Sequence, residues 1–129
     1  MKFRSAFLFP LLVFVGCSGG NAVTEGSIYS TDSGDGKFGV VKVLKLEPGI
    51  VHVRVYKNKF ASRPTSIKVE ELSLGNINDK DGFGMGHLPI SEKDFKGWKA
   101  VLLVKSEVKA EELDGYKLWK EGGGGVFGK

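Results

Sequence analysis

Cysteine is all but missing from this chain of 129 residues, which contains Cys17 and no other. A lone thiol can form neither an internal disulfide nor a Cys-rich zinc site, so the fold must stand on packing. Histidine is almost as scarce, with only His52 and His87. Zinc normally takes three or four N, S or O ligands, and a catalytic histidine needs a nucleophile and an orienting carboxylate. Nothing in the spacing assembles either set, so no metal and no cofactor is expected. Long apolar runs are lacking too. The stretch Ala6 to Val15 is uncharged but holds only ten residues, about 15 Å as a helix and half the thickness of a bilayer core. That is too short for a stable transmembrane helix and has the length of the apolar core of an export signal.

Strong net charge is absent as well. The formal value of +4 is halved once Lys2 and Arg4 are set aside with the export segment, so bulk charge is a poor argument for nucleic acid, which is not expected as a partner. The distribution says more. Eight cations lie between Lys37 and Lys68 against Glu47 alone, whereas acids outnumber lysines from Glu70 onward.

Lys2 and Arg4 precede the apolar run, which ends in Phe14-Val15-Gly16-Cys17. This resembles the lipobox of bacterial lipoproteins, with Phe14 in place of the usual Leu. The resemblance implies cleavage before Cys17 and acyl chains on its sulfur. Ser18 stands where an Asp would resemble an inner-membrane retention signal, so the implied destination is the outer membrane. Residues 1–16 are then a signal peptide, and 17–26 a lipidated cysteine with a flexible tether rich in small polar residues. Residues 27–121 form a single globular domain, and 122–129 a Gly-rich tail.

Within the domain, Ser27–Ser30 is a short strand. Phe38 to Leu46 and Ile50 to Tyr56 are stronger strands, joined by Pro48-Gly49 in a type II turn. Val51, Val53 and Val55 alternate with His52, Arg54 and Tyr56, so one face is core and the other meets solvent or a partner. Ile67 to Leu74 fits strand and helix alike, and Gly75 to His87 is a long, glycine-rich loop. Ser91 can cap a short helix, with Ile90 and Phe95 placed as a hydrophobic staple and Gly97 limiting its length. Trp98 to Lys105 has the pattern of a buried strand. Glu111 to Lys120 has helical spacing at Leu113, Tyr116 and Trp119 or Lys120, although Gly115 weakens it. Four glycines follow, then Val126-Phe127, an apolar pair able to dock. The pattern implies a mainly β, α+β fold: a small SH3-like or related β-barrel or curled sheet with one or two short helices. Segments such as GVVKVLK, HVRVYKNKF and GHLP are similar to uncharacterised bacterial proteins, a likeness that implies no activity.

Two regions are candidate sites. Lys42, His52, Arg54 and Tyr56, with Lys57, Lys59 and Arg63 beyond, would make a cationic face with an aromatic tip. On an exported protein this suits an anionic envelope polymer or a protein partner; the plain alternative is a solvated strand whose charges discourage edge pairing. The loop residues Asp79, Asp81, Gly82, Gly84, Gly86 and His87 form the second region. Asp79-Lys80-Asp81-Gly82 lacks the first and last ligands of a calcium loop. Gly82 to Gly86 lacks the strand, lysine and helix of a phosphate loop. The expectation is therefore a lipid-anchored, non-enzymatic binding module of the cell envelope. A small hydrolase using His87 with Asp79, Asp81, Glu92 or Asp94 is the rival, and a cytoplasmic SH3-like nucleic-acid binder follows if the export signal is misread.

Overall fold

The computed structural model describes residues 22–127; the export segment, Cys17 and the lipobox-like motif lie outside the described residues. Five strands form one antiparallel sheet: β1 (Ser27–Asp32), β2 (Phe38–Glu47), β3 (Ile50–Phe60), β4 (Met85–Ser91) and β5 (Val101–Lys105). Their spatial order is β4-β3-β2-β1-β5. The first four make a meander. Helix α1 (Glu92–Gly97) then carries the chain across the sheet to β5, and a 3₁₀ turn (Ala110–Leu113) leads into α2 (Asp114–Glu121). The protein is mainly β with two short helices, and the sheet stays open between two edges instead of closing into a barrel.

Each helix covers one face. Tyr29, Val41, Val43, Val51, Val53 and Ile90 form an apolar face on which Phe95 of α1 is seated. The helix starts where expected: Ser91 Oγ accepts the Asp94 N–H at 3.1 Å, and Ile90 and Phe95 share one cluster as a staple requires. On the opposite face Ile28, Val40 and Tyr56 pack with Leu72 and Leu74, while α2 and the 3₁₀ turn close over Lys42 and His52. Gly49 takes a φ of 78° in the β2–β3 turn, the positive value that position i+2 of a type II turn demands.

One irregularity in β2 decides where the site lies. Val43 pairs with Val53, but the next pair along the strands is Lys45 with His52, so β2 carries an extra residue. Such a bulge reverses the in–out alternation beyond it. Leu46 consequently joins Val51 on the apolar face, and Glu47 comes round to the face of His52.

Several expectations are corrected. Residues 85–87 belong to β4 rather than to a loop, and Pro89 lies within that strand. This is permitted because β4 is an edge and its missing N–H breaks no ladder bond. Strand β5 is the other edge and is partly exposed, not buried. The ambiguous segment at 67–74 yields one 3₁₀ turn at Val69–Glu71. The end of the expected tether is part of the fold: Val23 packs against the core, and Gly26 N–H donates to the Val43 carbonyl at 2.7 Å. The tail docks as well, Phe127 forming a parallel bridge with Ile90.

Val53 has no exposed surface, whereas Val101 on β5 is 48% exposed. Val53→Ala should therefore cost about 2 kcal/mol of unfolding free energy through lost burial and a residual cavity, and Val101→Ala under about 1 kcal/mol. Urea melts with unchanged m-values measure both, and equal losses would contradict this placement of the core.

Candidate functional site

His52, the third residue of β3, is an unusual side chain in being 0% exposed. A buried imidazole needs partners for both ring nitrogens. His52 Nε2 lies 2.9 Å from Glu47 Oε1, brought within reach by the bulge and the tight turn. His52 Nδ1 lies 2.9 Å from His87 Nε2 on the neighbouring strand, with the two ring planes within 14° of each other and their centroids 5.1 Å apart, an edge-to-edge contact. Helix α2 seals the assembly. Tyr116 and Trp119 approach His52 edge-on at 4.8 and 4.5 Å, and the Tyr116 hydroxyl donates to Glu47 Oε2 at 2.6 Å. Lys120 Nζ stands 3.4 Å from the same carboxylate oxygen.

These contacts fix the charge of Glu47. The hydrogen bond from Tyr116, then that from His52, hold Glu47 down to about 2 against the opposing effect of burial. An ionised Glu47 only accepts, so His52 carries its proton on Nε2. With both rings neutral, His52 Nδ1 then accepts from His87 Nε2–H, and the remaining lone pair is on His87 Nδ1. Burial, and next the neighbouring His52, lower the His87 pKa. With these tautomers the two hydrogen bonds run in one direction, from His87 through His52 to Glu47, and a further proton would enter at His87 Nδ1. No hydroxyl or thiol is hydrogen-bonded to His87 among the described residues. Gly115 backs onto its ring: a Cβ there would lie 2.6 Å from His87 Cβ.

The expected cationic face is not an open surface. Lys42, at 4% exposure, and Tyr56 are buried, as is His52. Lys42 and Arg54 are directly opposed in the sheet, an arrangement of like charges that needs a counter-charge. Glu112 of the 3₁₀ turn supplies it, at 2.9 Å from Lys42 Nζ and 3.7 Å from Arg54. Burial pushes the Glu112 pKa up, but the Lys109 backbone N–H, Lys42 and Arg54 outweigh it and lower the pKa. Lys42 also donates to the Glu107 carbonyl, and Arg54 to that of Gly86. Farther out, Lys57 bonds Asp79 and Asp81, Lys59 bonds Ser33, and Arg63 bonds Ser30 while lying over the Phe38 ring.

The loop residues part company. Asp79 and Asp81 clamp Lys57, and Glu92 and Asp94 sit in the first turn of α1, so the acids proposed to assist His87 are engaged elsewhere. Gly82 is a loop residue, and Gly86 offers its carbonyl to Arg54. Gly84 lies so close to β3 that a Cβ would meet the Val55 carbonyl. No group of three or more His, Cys, Asp or Glu suited to a metal occurs among the described residues. Of two surface hollows of about 430 and 450 Å³, the first touches Glu47, but neither is lined by His52, His87, Tyr116 or Trp119. In comparisons with known proteins, no family model, no curated protein and no solved structure matches the chain.

The network makes stability depend on pH in one direction. Because Glu47 titrates at about 2 rather than 4.5, its contribution is complete above about pH 4.5 and is lost as pH falls toward 2. His87 is depressed below 6.5, so its neutral form favours the fold, and stability also declines as pH drops beneath 6.5. Glu47→Gln should flatten the lower part of this slope and His87→Gln the upper, as read by thermal melts across the range. A Glu47→Gln protein that keeps the full acid slope would refute the assignment. Gly115→Ala gives a separate check. Helix propensity alone predicts a gain of about 1 kcal/mol, but the contact with His87 predicts a net loss of at least that size.

Proposed function

We propose that this is a lipid-anchored protein of the cell envelope, acylated on Cys17 and destined for the outer membrane. Its folded domain is a non-enzymatic binding module. The observation that carries the reading is the ten-residue apolar run that stops at Gly16-Cys17. Two or more acyl chains, each contributing about 0.8 kcal/mol per buried CH₂, anchor a protein stably without help from its domain. Among the described residues no helix is long and apolar enough to cross a membrane.

The chemistry of the domain favours binding over catalysis. Its buried charges satisfy one another, and its histidine pair lies beneath α2 with no hydroxyl or thiol hydrogen-bonded to it among the described residues. The cations of the β2–β3 hairpin are largely spent on internal partners, so a protein partner is preferred here to an anionic polymer.

Cells fed a labelled fatty acid should yield labelled wild-type protein in the outer-membrane fraction, and Cys17→Ala should lose both label and membrane association. Unlabelled wild-type protein recovered from the cytosol with its initiator Met would end the proposal.

A further inference from the structure

Strand β4 is the sheet edge next to the hairpin, and one segment of the chain already lies on it. Phe127 N–H donates to the Pro89 carbonyl at 2.9 Å, and the Ser91 N–H donates to the Phe127 carbonyl at 3.0 Å. These two bonds make a single parallel bridge between Ile90 and Phe127. Three features show how lightly the segment is held. Phe127 is 62% exposed, so docking buries little apolar surface. The preceding residues 122–125 are all glycine, which lose more freedom on ordering than any other residue. The pairing is one residue long, whereas β4 runs for seven. Upstream along the same strand Met85 and the neighbouring Phe83 also stand exposed.

We propose that the outer edge of β4 is a strand-addition site for an extended, apolar segment of a partner protein, and that Val126–Phe127 holds the place when no partner is bound. The proposal deepens the reading of the domain as a binding module and does not depend on the lipid anchor. Strand addition draws affinity from main-chain hydrogen bonds and specificity from alternate side chains. The resident segment defines the ligand: parallel to β4, with a free N–H and an apolar side chain opposite Ile90, hence not proline there. A longer strand could run back toward Met85 and cover the apolar surface that the short tail leaves open. Any partner strand must displace a tethered competitor, whose effective concentration is in the millimolar range.

The test uses the full acylated chain in detergent and a second chain stopped after Gly122. The probe is a synthetic GGGGVFGK peptide and its copy methylated on the nitrogen of the residue corresponding to Phe127. The shortened chain should bind the plain peptide about tenfold or more tightly than the intact chain does. It should also bind the methylated copy about tenfold more weakly, because the N–H given to Pro89 is gone. Equal affinity for both peptides, or no binding by a folded shortened chain, overturns the proposal.

Hydrogen exchange on the intact protein covers the case in which the shortened chain fails to fold. The Phe127 and Ser91 amides should exchange faster than those of Val51 and Val53 and without global opening; protection equal to the core overturns the proposal. A concentration-dependent dimer that disappears with the tail would also overturn it, by making a second copy the occupant. A partner protein whose cross-linking to the intact chain is not prevented by excess plain peptide added beforehand would overturn the edge assignment while leaving the binding-module reading in place.

Discussion

The burial of one imidazole is the constraint around which this domain is arranged. His52 has no contact with solvent, so both of its ring nitrogens must be satisfied from within. That demand reaches into every neighbouring element. Strand β2 needs its bulge and the β2–β3 turn its tightness for Glu47 to reach Nε2. Strand β4 must present His87 at Nδ1. Helix α2 must lie close enough for Tyr116 to hold Glu47, which only a residue without a side chain at 115 allows. A glycine that lowers helix propensity is thus retained where a better helix former would lift α2 off the sheet.

The second buried network obeys the same logic with opposite charges. Replacing a buried ion pair by apolar residues is often neutral or stabilising, so the Lys42–Glu112–Arg54 group is weak evidence of stability in itself. Its effect is to place the 3₁₀ turn: Glu112 is fixed to two adjacent strands, and its Oε1 accepts the Lys109 N–H at 2.8 Å. Two cations on one sheet face position the segment that precedes α2, and α2 completes the cage around His52. The cluster of positive residues between Lys37 and Lys68 therefore acts mostly inward.

How much of this was legible in the sequence depended on whether the determinant was local. The β2–β3 hairpin, the Ser91 cap and the helix carrying Tyr116 and Trp119 announce themselves through period, turn chemistry and capping, all set by a few adjacent residues. The role of Glu47 does not. Strict alternation from Val41 and Val43 puts residue 47 on the apolar face, and only the unpaired residue in the middle of β2 brings it to His52. The polar alternation His52, Arg54, Tyr56 was visible, but it could not reveal that a segment more than fifty residues later would cover that face. Pro89 and the preceding glycines read as breakers because the pattern does not disclose that β4 is an edge.

Trp119 links the buried network to that edge. Its ring meets His52 edge-on, its indole N–H donates to the Gly125 carbonyl, and its own carbonyl accepts the Gly124 N–H. The glycine run is thus oriented onto β4 from a residue that the His52 cage positions. A segment with no side chains of its own to pack is delivered to the sheet by the rigidity of its neighbour, which explains how four glycines can lead to a docked end. The same arrangement lets the end leave cheaply, because releasing it breaks main-chain bonds at the surface and leaves the bonds of Glu47, His52 and His87 intact. Firm burial of one histidine and loose attachment of the segment at Val126–Phe127 both trace back to a single helix.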